Sequence, residues 1–164
     1  AVPTKKGRTR YVFSRDPGPG MLDVVPPEFV VHESVNGLVS LLRKTERLIR
    51  DDEVEAVRSV LATERRLHRY AVEERKDAVW VFEPVGPSPE EIAEIYGIPL
   101  ERAEMDLGTG RYTPIFRFVL LDPVARTFHI ERMCFLGGDE HWMGLHEAGP
   151  IAKHARAFLP HLGR

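Results

Sequence analysis

Two long apolar runs in the second half of the chain constrain its fold most strongly. Residues 112–122 and 127–136 are rich in aromatic and β-branched side chains, and they flank the turn-forming sequence Asp-Pro-Val-Ala-Arg at 122–126. Runs of this composition around such a turn are typical of a β-hairpin. Both faces of the first run carry apolar side chains, which favours a strand in the middle of a sheet with both faces covered. The sequence therefore predicts an antiparallel sheet built around a 112–136 β-hairpin.

Charged residues in the two runs predict how these strands pair. An odd-numbered loop centred on Val124 places Arg117 directly opposite Glu131, and such a pair stabilises a sheet. An even-numbered loop would instead place Arg117 opposite Arg132, which like-charge repulsion disfavours. We therefore expect an ion pair across the hairpin.

Helical periodicity predicts two helices on the N-terminal side of this hairpin. Ser34 or Asn36 can cap the first helix, and the three acids at 51–53 can cap and begin the second. Apolar residues recur at spacings of three and four through both segments: Leu38, Leu41, Leu42 and Ile49, then Val54, Val57, Val60, Leu61, Leu67 and Ala71. Two helices joined this closely predict an αα-hairpin over about 36–75. A single bent helix is the alternative.

The remaining elements complete a prediction of the α+β class. Gly149-Pro150 favours the start of a helix that Pro160 ends. The predicted fold is an antiparallel sheet around the 112–136 β-hairpin, packed by the αα-hairpin (about 36–75) and a C-terminal helix (about 150–159), with an extended N-terminal arm. The β-type run at 78–82 places Trp80 in or beside that sheet.

The N-terminal segment has a different character from the rest of the chain. The first fifteen residues contain Lys5, Lys6, Arg8, Arg10 and Arg15 and no acid. Glycine and proline at 17–20 interrupt regular structure, and Pro26-Pro27 excludes a central strand position. We predict an extended basic arm with edge segments at 1–33 and a single α+β domain at 34–164.

Composition excludes several classes of protein. One cysteine among 164 residues rules out a disulfide framework and a thiolate zinc cluster, and it favours a reducing intracellular compartment such as the cytoplasm. We expect no membrane span, because no apolar run approaches the roughly 18 residues that a spanning helix needs. A signal-peptide pattern is also absent from the sequence.

Residues 83–106 form the acidic extreme of the chain, with seven acids and the single base Arg102. Within this stretch, 88–107 resembles a helix-turn-helix signature in the spacing of its small and apolar residues. The second helix of that motif must face phosphates with donors and positive charge, yet here it reads Leu-Glu-Arg-Ala-Glu-Met-Asp at 100–106. We therefore interpret the segment as a structural helix pair or an acidic docking face.

A loop rich in histidine and acids at 139–147 is the best sequence candidate for catalysis. His141 and His146 are five residues apart, a spacing that fits neither a helical nor a finger-type zinc site. We therefore predict no metal and no other cofactor. Cys134 falls on the predicted strand face of Phe128 and Ile130 and away from His129, which favours a packing role.

Two sets of arginines recur at helical spacing in the predicted αα-hairpin. Arg43, Arg47 and Arg50 share one face of its first helix, and residues 58, 65 and 69 share a face of its second. Interleaved glutamates make a solvated, salt-bridged surface the simpler interpretation. A site for an anionic partner arises if the basic arm lies beside one of these stripes.

These features favour a non-catalytic subunit or adaptor of a larger assembly, which docks on partner proteins through the basic arm and the acidic 83–106 segment. The predicted partner-binding residues are Lys5, Lys6, Arg8, Arg10, Arg43, Arg47, Arg50, Glu90, Glu91 and Glu94. One alternative is a small metal- or histidine-dependent hydrolase that uses 139–147. The other is an accessory protein that binds nucleic acid through the arm.

Overall fold

A computed structural model describes residues 2–3, 9–11, 13–14, 16, 18–107, 111–136 and 139–163. These residues group into two compact units, 1–46 and 47–164. No helix in the described ranges is long and apolar enough to cross a membrane. Four helices and antiparallel sheets within the described ranges confirm the α+β class.

The described part of unit 1 (residues 1–46) contains four short strands and no helix. Its strands are β1 (Val2–Pro3), β2 (Thr9–Arg10), β3 (Phe29–Glu33) and β4 (Val39–Arg43). β1 pairs with β2, and β3 pairs with β4 through a turn in which Gly37 has φ 71°. Glycine adopts this left-handed conformation without the steric cost that a β-carbon brings. Residues on either side of the predicted 33/34 boundary thus share one hairpin.

Unit 2 (residues 47–164) has a five-stranded meander as its framework. Its helices are α1 (Asp51–Ala62), α2 (Pro89–Tyr96), α3 (Leu100–Leu107) and α4 (Ile151–Phe158). Its strands are β5 (Ala71–Arg75), β6 (Ala78–Val85), β7 (Arg111–Asp122), β8 (Thr127–Leu136) and β9 (Asp139–Gly144). The strand order is β5-β6-β7-β8-β9, and every pair is antiparallel.

The β7–β8 hairpin and the C-terminal helix agree with the prediction. Arg117 lies opposite Glu131 in the observed register and bonds to it. The Asp122 carboxylate accepts hydrogen bonds from the backbone N–H groups of Val124 and Ala125, at 2.7 and 2.9 Å. These bonds lower the pKa of Asp122, and they fix the turn that sets the register.

The predicted αα-hairpin over 36–75 is wrong. Its first helix is replaced by strand β4, which pairs with β3. Its second helix begins at Asp51 as expected but ends at Ala62, and a 3-10 turn (Arg65–Leu67) and strand β5 follow. Apolar spacing in these segments fits a helix locally, but strand pairing with β3 and β6 decides the conformation.

The main core lies between one face of the sheet and the two helices α1 and α4. The sheet contributes fully buried side chains from its central strands, such as Val79, Phe118 and Ile130, which face one another across β6, β7 and β8. Val57 of α1 and Ala155 of α4 are also completely buried in this core. Burial of this kind stabilises the fold by about 1.5–3 kcal/mol for each large apolar side chain.

A buried ion pair joins the β7–β8 turn to the start of α1. Arg126 has the left-handed φ of 52° and donates from Nε to Glu53, at 2.8 Å, and from Nη2 to the Leu48 carbonyl oxygen, at 3.2 Å. Glu53 is only 6% exposed, and it also accepts a hydrogen bond from the backbone N–H of Arg50. The Glu53 carboxylate therefore stabilises both the N-terminal end of α1 and the β7–β8 turn.

Candidate docking surfaces and polar clusters

Exposed large apolar side chains are unevenly distributed over the described residues. Ten of the eighteen belong to unit 1: Phe13, Met21, Leu22, Val24, Val25, Val30, Val31, Leu38, Val39 and Leu42. Five more lie in or beside the segment that carries α2 and α3: Val85, Ile95, Tyr96, Leu100 and Met105. Large exposed apolar patches mark interaction sites in folded proteins. Both regions overlap the segments that the sequence predicts to dock.

The β3–β4 hairpin exposes apolar side chains on both of its faces. Val30 and Leu42 are directly opposite each other, and each is 46% exposed. On the other face, Val31 lies opposite Leu41 and is 49% exposed. Neither β3 nor β4 has a second neighbouring strand among the described residues. The hairpin thus presents two apolar faces and open backbone edges.

A cavity of about 430 Å³ lies within unit 1. Residues 18–26 form most of its lining, together with Tyr11, Phe13 and Leu41. The Tyr11 ring meets the Phe29 ring edge-on, with the centroids 5.1 Å apart. The lining includes several of the exposed apolar residues of this unit, so the cavity is continuous with its apolar surface.

The arm residues predicted to bind partners are only partly described. Lys5, Lys6 and Arg8 lie outside the described residues, and the backbone of Arg10 belongs to β2. Arg43 is on β4, where its guanidinium lies 5.8 Å from the centroid of the Phe29 ring. It therefore contributes a cation to the hairpin surface.

The predicted helical stripe of Arg43, Arg47 and Arg50 does not exist, because the first residue is on a strand and the others precede α1. Arg47 bonds to Glu74, with Nε to Oε1 at 2.6 Å, and its Nη2 lies 2.7 Å from Asp51. These two carboxylates raise the pKa of Arg47. The second predicted set is also divided, since residue 58 is in α1 and residue 65 is in the following 3-10 turn.

The helix pair α2–α3 is formed as the sequence indicates. The Ser88 hydroxyl accepts from the Glu91 N–H at 3.1 Å, and the Glu91 carboxylate accepts from the Ser88 N–H at 2.6 Å, which is a capping box. Gly97, with φ 62°, ends α2. Glu91 therefore has a structural role at the start of α2, whereas Glu94, which is also exposed, takes no part in this cap.

Glu90 lies in the first turn of α2. Its pKa is lowered by backbone and Ser88 hydrogen bonds and, to a smaller extent, by Arg69 and Arg65. Of the three acids predicted to bind partners, Glu94 is the one closest to the C-terminal end of α2.

A row of aromatic and charged side chains crosses the face of the sheet opposite the main core. Glu73, Trp80, Arg117 and Glu131 are directly opposite one another on successive strands. The Arg117 guanidinium lies 4.3 Å from the Trp142 ring centroid and 5.6 Å from that of Trp80, and the two indoles meet edge-on at 5.0 Å.

Arg75 completes this row at its β5 end. It lies over Trp80 at 4.1 Å and bonds to Glu73, just as Arg117 bonds to Glu131. The charges balance, and the side chains satisfy one another. The row therefore stabilises the sheet face without a ligand.

A buried histidine anchors α4 to the sheet. His154 is 1% exposed, and its Nε2 lies 3.1 Å from the Phe128 carbonyl oxygen, so this nitrogen donates the hydrogen bond. Its Nδ1 is buried and has no hydrogen-bond partner among the described residues. Burial lowers the pKa of His154, and nearby His146, Lys153 and His129 lower it further, against the opposing effect of the Phe128 hydrogen bond.

The first half of the segment 139–147 is a strand and not a loop. Residues 139–144 are strand β9, and the register places His141 opposite Cys134. The interpretation of this segment as a loop does not predict the pairing of β9 with β8. Among the described residues, no group of three or more His, Cys, Asp or Glu could hold a metal ion.

No family model, curated protein or solved structure matches this chain. A function must therefore be argued from the surfaces themselves. Among the described residues, the two apolar regions contain most of the exposed large apolar side chains.

Proposed function

We propose that this protein is a non-catalytic subunit or adaptor that binds partner proteins through unit 1. The observation that carries the proposal is the β3–β4 hairpin with exposed apolar side chains on both faces. Such a hairpin resembles one layer of an interface that a second protein completes. The partner class is a protein, because an extended apolar surface with open strand edges suits apolar side chains and backbone groups.

Energetics support a partner for this region. A two-stranded hairpin is at best marginally stable alone in water, and an open strand edge invites pairing with another chain. Covering Val30, Val31 and Leu42 would remove apolar surface from water, which stabilises an association by roughly 25 cal/mol for each Å² buried. Losses of translational, rotational and side-chain freedom offset much of that gain.

The cations at Lys5, Lys6, Arg8 and Arg10 extend the proposal to an acidic rim on the partner. Charges of this kind raise the rate of association and select the partner more than they raise affinity. Arg43 adds a cation on the hairpin itself.

The test is isolation of the tagged chain from its native host, with crosslinking, as wild type and as the double variant Val30→Thr/Leu42→Thr. Threonine removes apolar surface but keeps a high strand propensity. We expect a partner of fixed stoichiometry with wild type and at least a roughly tenfold loss with the variant, since about 1.4 kcal/mol of lost binding has that effect.

The matched control is Leu121→Thr/Val124→Thr, which changes the same residue types at exposed positions of the β7–β8 hairpin. It should retain the partner. Equal recovery of the partner protein with both double variants would contradict the proposal. Recovery of nucleic acid instead of protein would contradict it as well.

A further inference from the structure

The junction between α2 and α3 has an exposed apolar tip. Ile95 and Tyr96 end α2, and Leu100 begins α3. They are 69%, 72% and 43% exposed. No residue of α2 is buried, and the two helices pack mainly on each other. The fold therefore leaves most of the Ile95 and Tyr96 surface, and nearly half of the Leu100 surface, open to solvent.

Acidic residues adjoin the tip along the chain, together with the single base Arg102. Glu94 and Glu101 flank it directly in the sequence, and Glu104 lies one turn further along α3. All three are exposed, and no salt bridge involves them in the part of the chain that the structure describes. Their charge is available to a partner.

The α2 helix adds to the negative potential at the same place. Its C-terminal end lies at Tyr96 and Gly97, and carbonyl groups at a helix C-terminus carry a partial negative charge. Many helices offset that charge with a basic residue in the last turn, but α2 has none there. A cation supplied from outside would be stabilised by the helix end and the carboxylates together.

We propose that this tip binds a basic segment of a partner protein, one that combines lysine or arginine with a large apolar side chain. The inference rests on the proposed adaptor function and names the chemistry of a second docking partner. The apolar side chain contacts Ile95, Tyr96 and Leu100, and the cations bind Glu94, Glu101 and Glu104. An arginine over the Tyr96 ring adds a cation–π contact. Charge complementarity excludes an acidic partner.

The experiment measures binding of a fluorescent synthetic peptide, in which lysine and arginine alternate with leucine, to the full chain by anisotropy. A peptide with glutamine at every basic position tests the charge, and one with serine at every leucine tests the apolar contact. We expect wild-type chain to bind the first peptide, with affinity that falls as salt screens the charges. Each substituted peptide should bind about tenfold more weakly or worse.

Two pairs of variants locate the binding surface. Glu94→Lys/Glu101→Lys should lose about tenfold or more in affinity, whereas Glu55→Lys/Glu147→Lys makes the same charge change at exposed positions elsewhere and should lose much less. Leu100→Ser should weaken binding, and Val124→Ser should not. Circular dichroism and tryptophan fluorescence check that each variant is folded.

Equal loss in both charge-reversal pairs would overturn the proposal, because it would show attraction to net charge alone. Unchanged binding by Glu94→Lys/Glu101→Lys or by Leu100→Ser would overturn it as well. The Val30→Thr/Leu42→Thr variant should bind the peptide normally. A host partner lost only in that variant, with no specific peptide binding to the tip, would support the adaptor function and reject this inference.

Discussion

Val79 and Val30 are each the second residue of a β-strand, yet their surroundings differ completely. Val79 is fully buried between neighbouring strands and the helices of unit 2, while Val30 is 46% exposed on a two-stranded hairpin. The five strands of unit 2 have a helical layer over one face and a satisfied row of arginines, glutamates and tryptophans over the other. Unit 1 has apolar side chains on its hairpin without comparable cover.

This difference shows which part of the molecule packs its apolar side chains into a core and which part leaves them exposed. Both regions contain β-branched and leucine residues in strands, so strand propensity is similar. What differs is the number of layers, because a sheet stabilises itself only when at least one face is buried. Apolar residues in unit 2 serve the fold, whereas many of those in unit 1 remain exposed to solvent.

The largest effect should come from the buried ion pair of unit 2. Glu53→Ala leaves Arg126 partly buried without its carboxylate and removes a hydrogen bond from the start of α1. We expect a loss of about 3–5 kcal/mol in the free energy of unfolding, measured by denaturant titration. Both tryptophans belong to unit 2, so their fluorescence reports this unit. Exposed Glu55→Ala is the control, and an equal loss there would show that the pair has no special role.

The two valines test the comparison directly. Val79→Ala should lower the free energy of unfolding by about 2 kcal/mol, since it removes two buried carbon atoms and leaves a cavity. Val30→Ala should change it by less than about 0.5 kcal/mol, as is usual at exposed positions. Hydrogen exchange should likewise show strong protection for β6 and weak protection for β3. Similar losses of unfolding free energy for the two variants, and similar hydrogen-exchange protection of β6 and β3, would mean that unit 1 is as well packed as unit 2.

A smaller effect is expected from the polar row on the sheet face. Arg117→Leu removes the ion pair to Glu131 and the contacts with both indoles. We expect a loss of about 1 kcal/mol with a change in tryptophan emission, observed by the same titration. Arg132→Leu, on the neighbouring strand, is the control. Loss of partner binding at unchanged stability would instead assign this face a docking role.

The pH dependence of unit 2 should give the smallest effect. Because the pKa of His154 is lowered from 6.5 in the folded chain, unfolding takes up a proton on the acidic side of that value. The stabilisation that the neutral His154 gives to the folded chain is fully present above about pH 6.5, and it is lost as the pH falls. His154→Gln should flatten this dependence relative to exposed His161→Gln, as measured by thermal unfolding across pH. If the His154→Gln variant keeps the same pH dependence of thermal unfolding, other titratable groups determine that dependence.

The sequence predicted best where a local signal and a long-range contact agreed. The β7–β8 register followed from the turn at 122–126 and from the opposite charges of Arg117 and Glu131, and the structure confirms it. The ends of α2 are likewise specified by residues near in the chain, since Ser88 and Glu91 form its capping box and Gly97 ends it. The wrong αα-hairpin shows the converse, since apolar spacing alone does not distinguish a helix from a strand when pairing with a distant segment decides.

Part of the candidate docking surface was visible in the sequence and part was not. The contrast between the basic N-terminus and the acidic 83–106 segment could be read from the residues alone. Arg43 and Arg47 could not be placed, because their assignment depended on a helix that does not form. Exposure of Val30, Leu42 and Ile95 could not be predicted either, since apolar residues are normally expected inside.

The amino-acid sequence by itself determined the α+β class, the central hairpin with its register, the capped helix at 89–96 and the charge asymmetry of this protein. Each depends on interactions between residues that are near in the chain, or on one turn that brings two neighbouring strands together. Tertiary structure alone decided that β4 and β5 are strands, that Glu53 meets Arg126 and that the apolar residues of unit 1 stay exposed. These outcomes depend on which distant segments pair and on how many layers cover each face, and burial in three dimensions is a property that no local pattern contains.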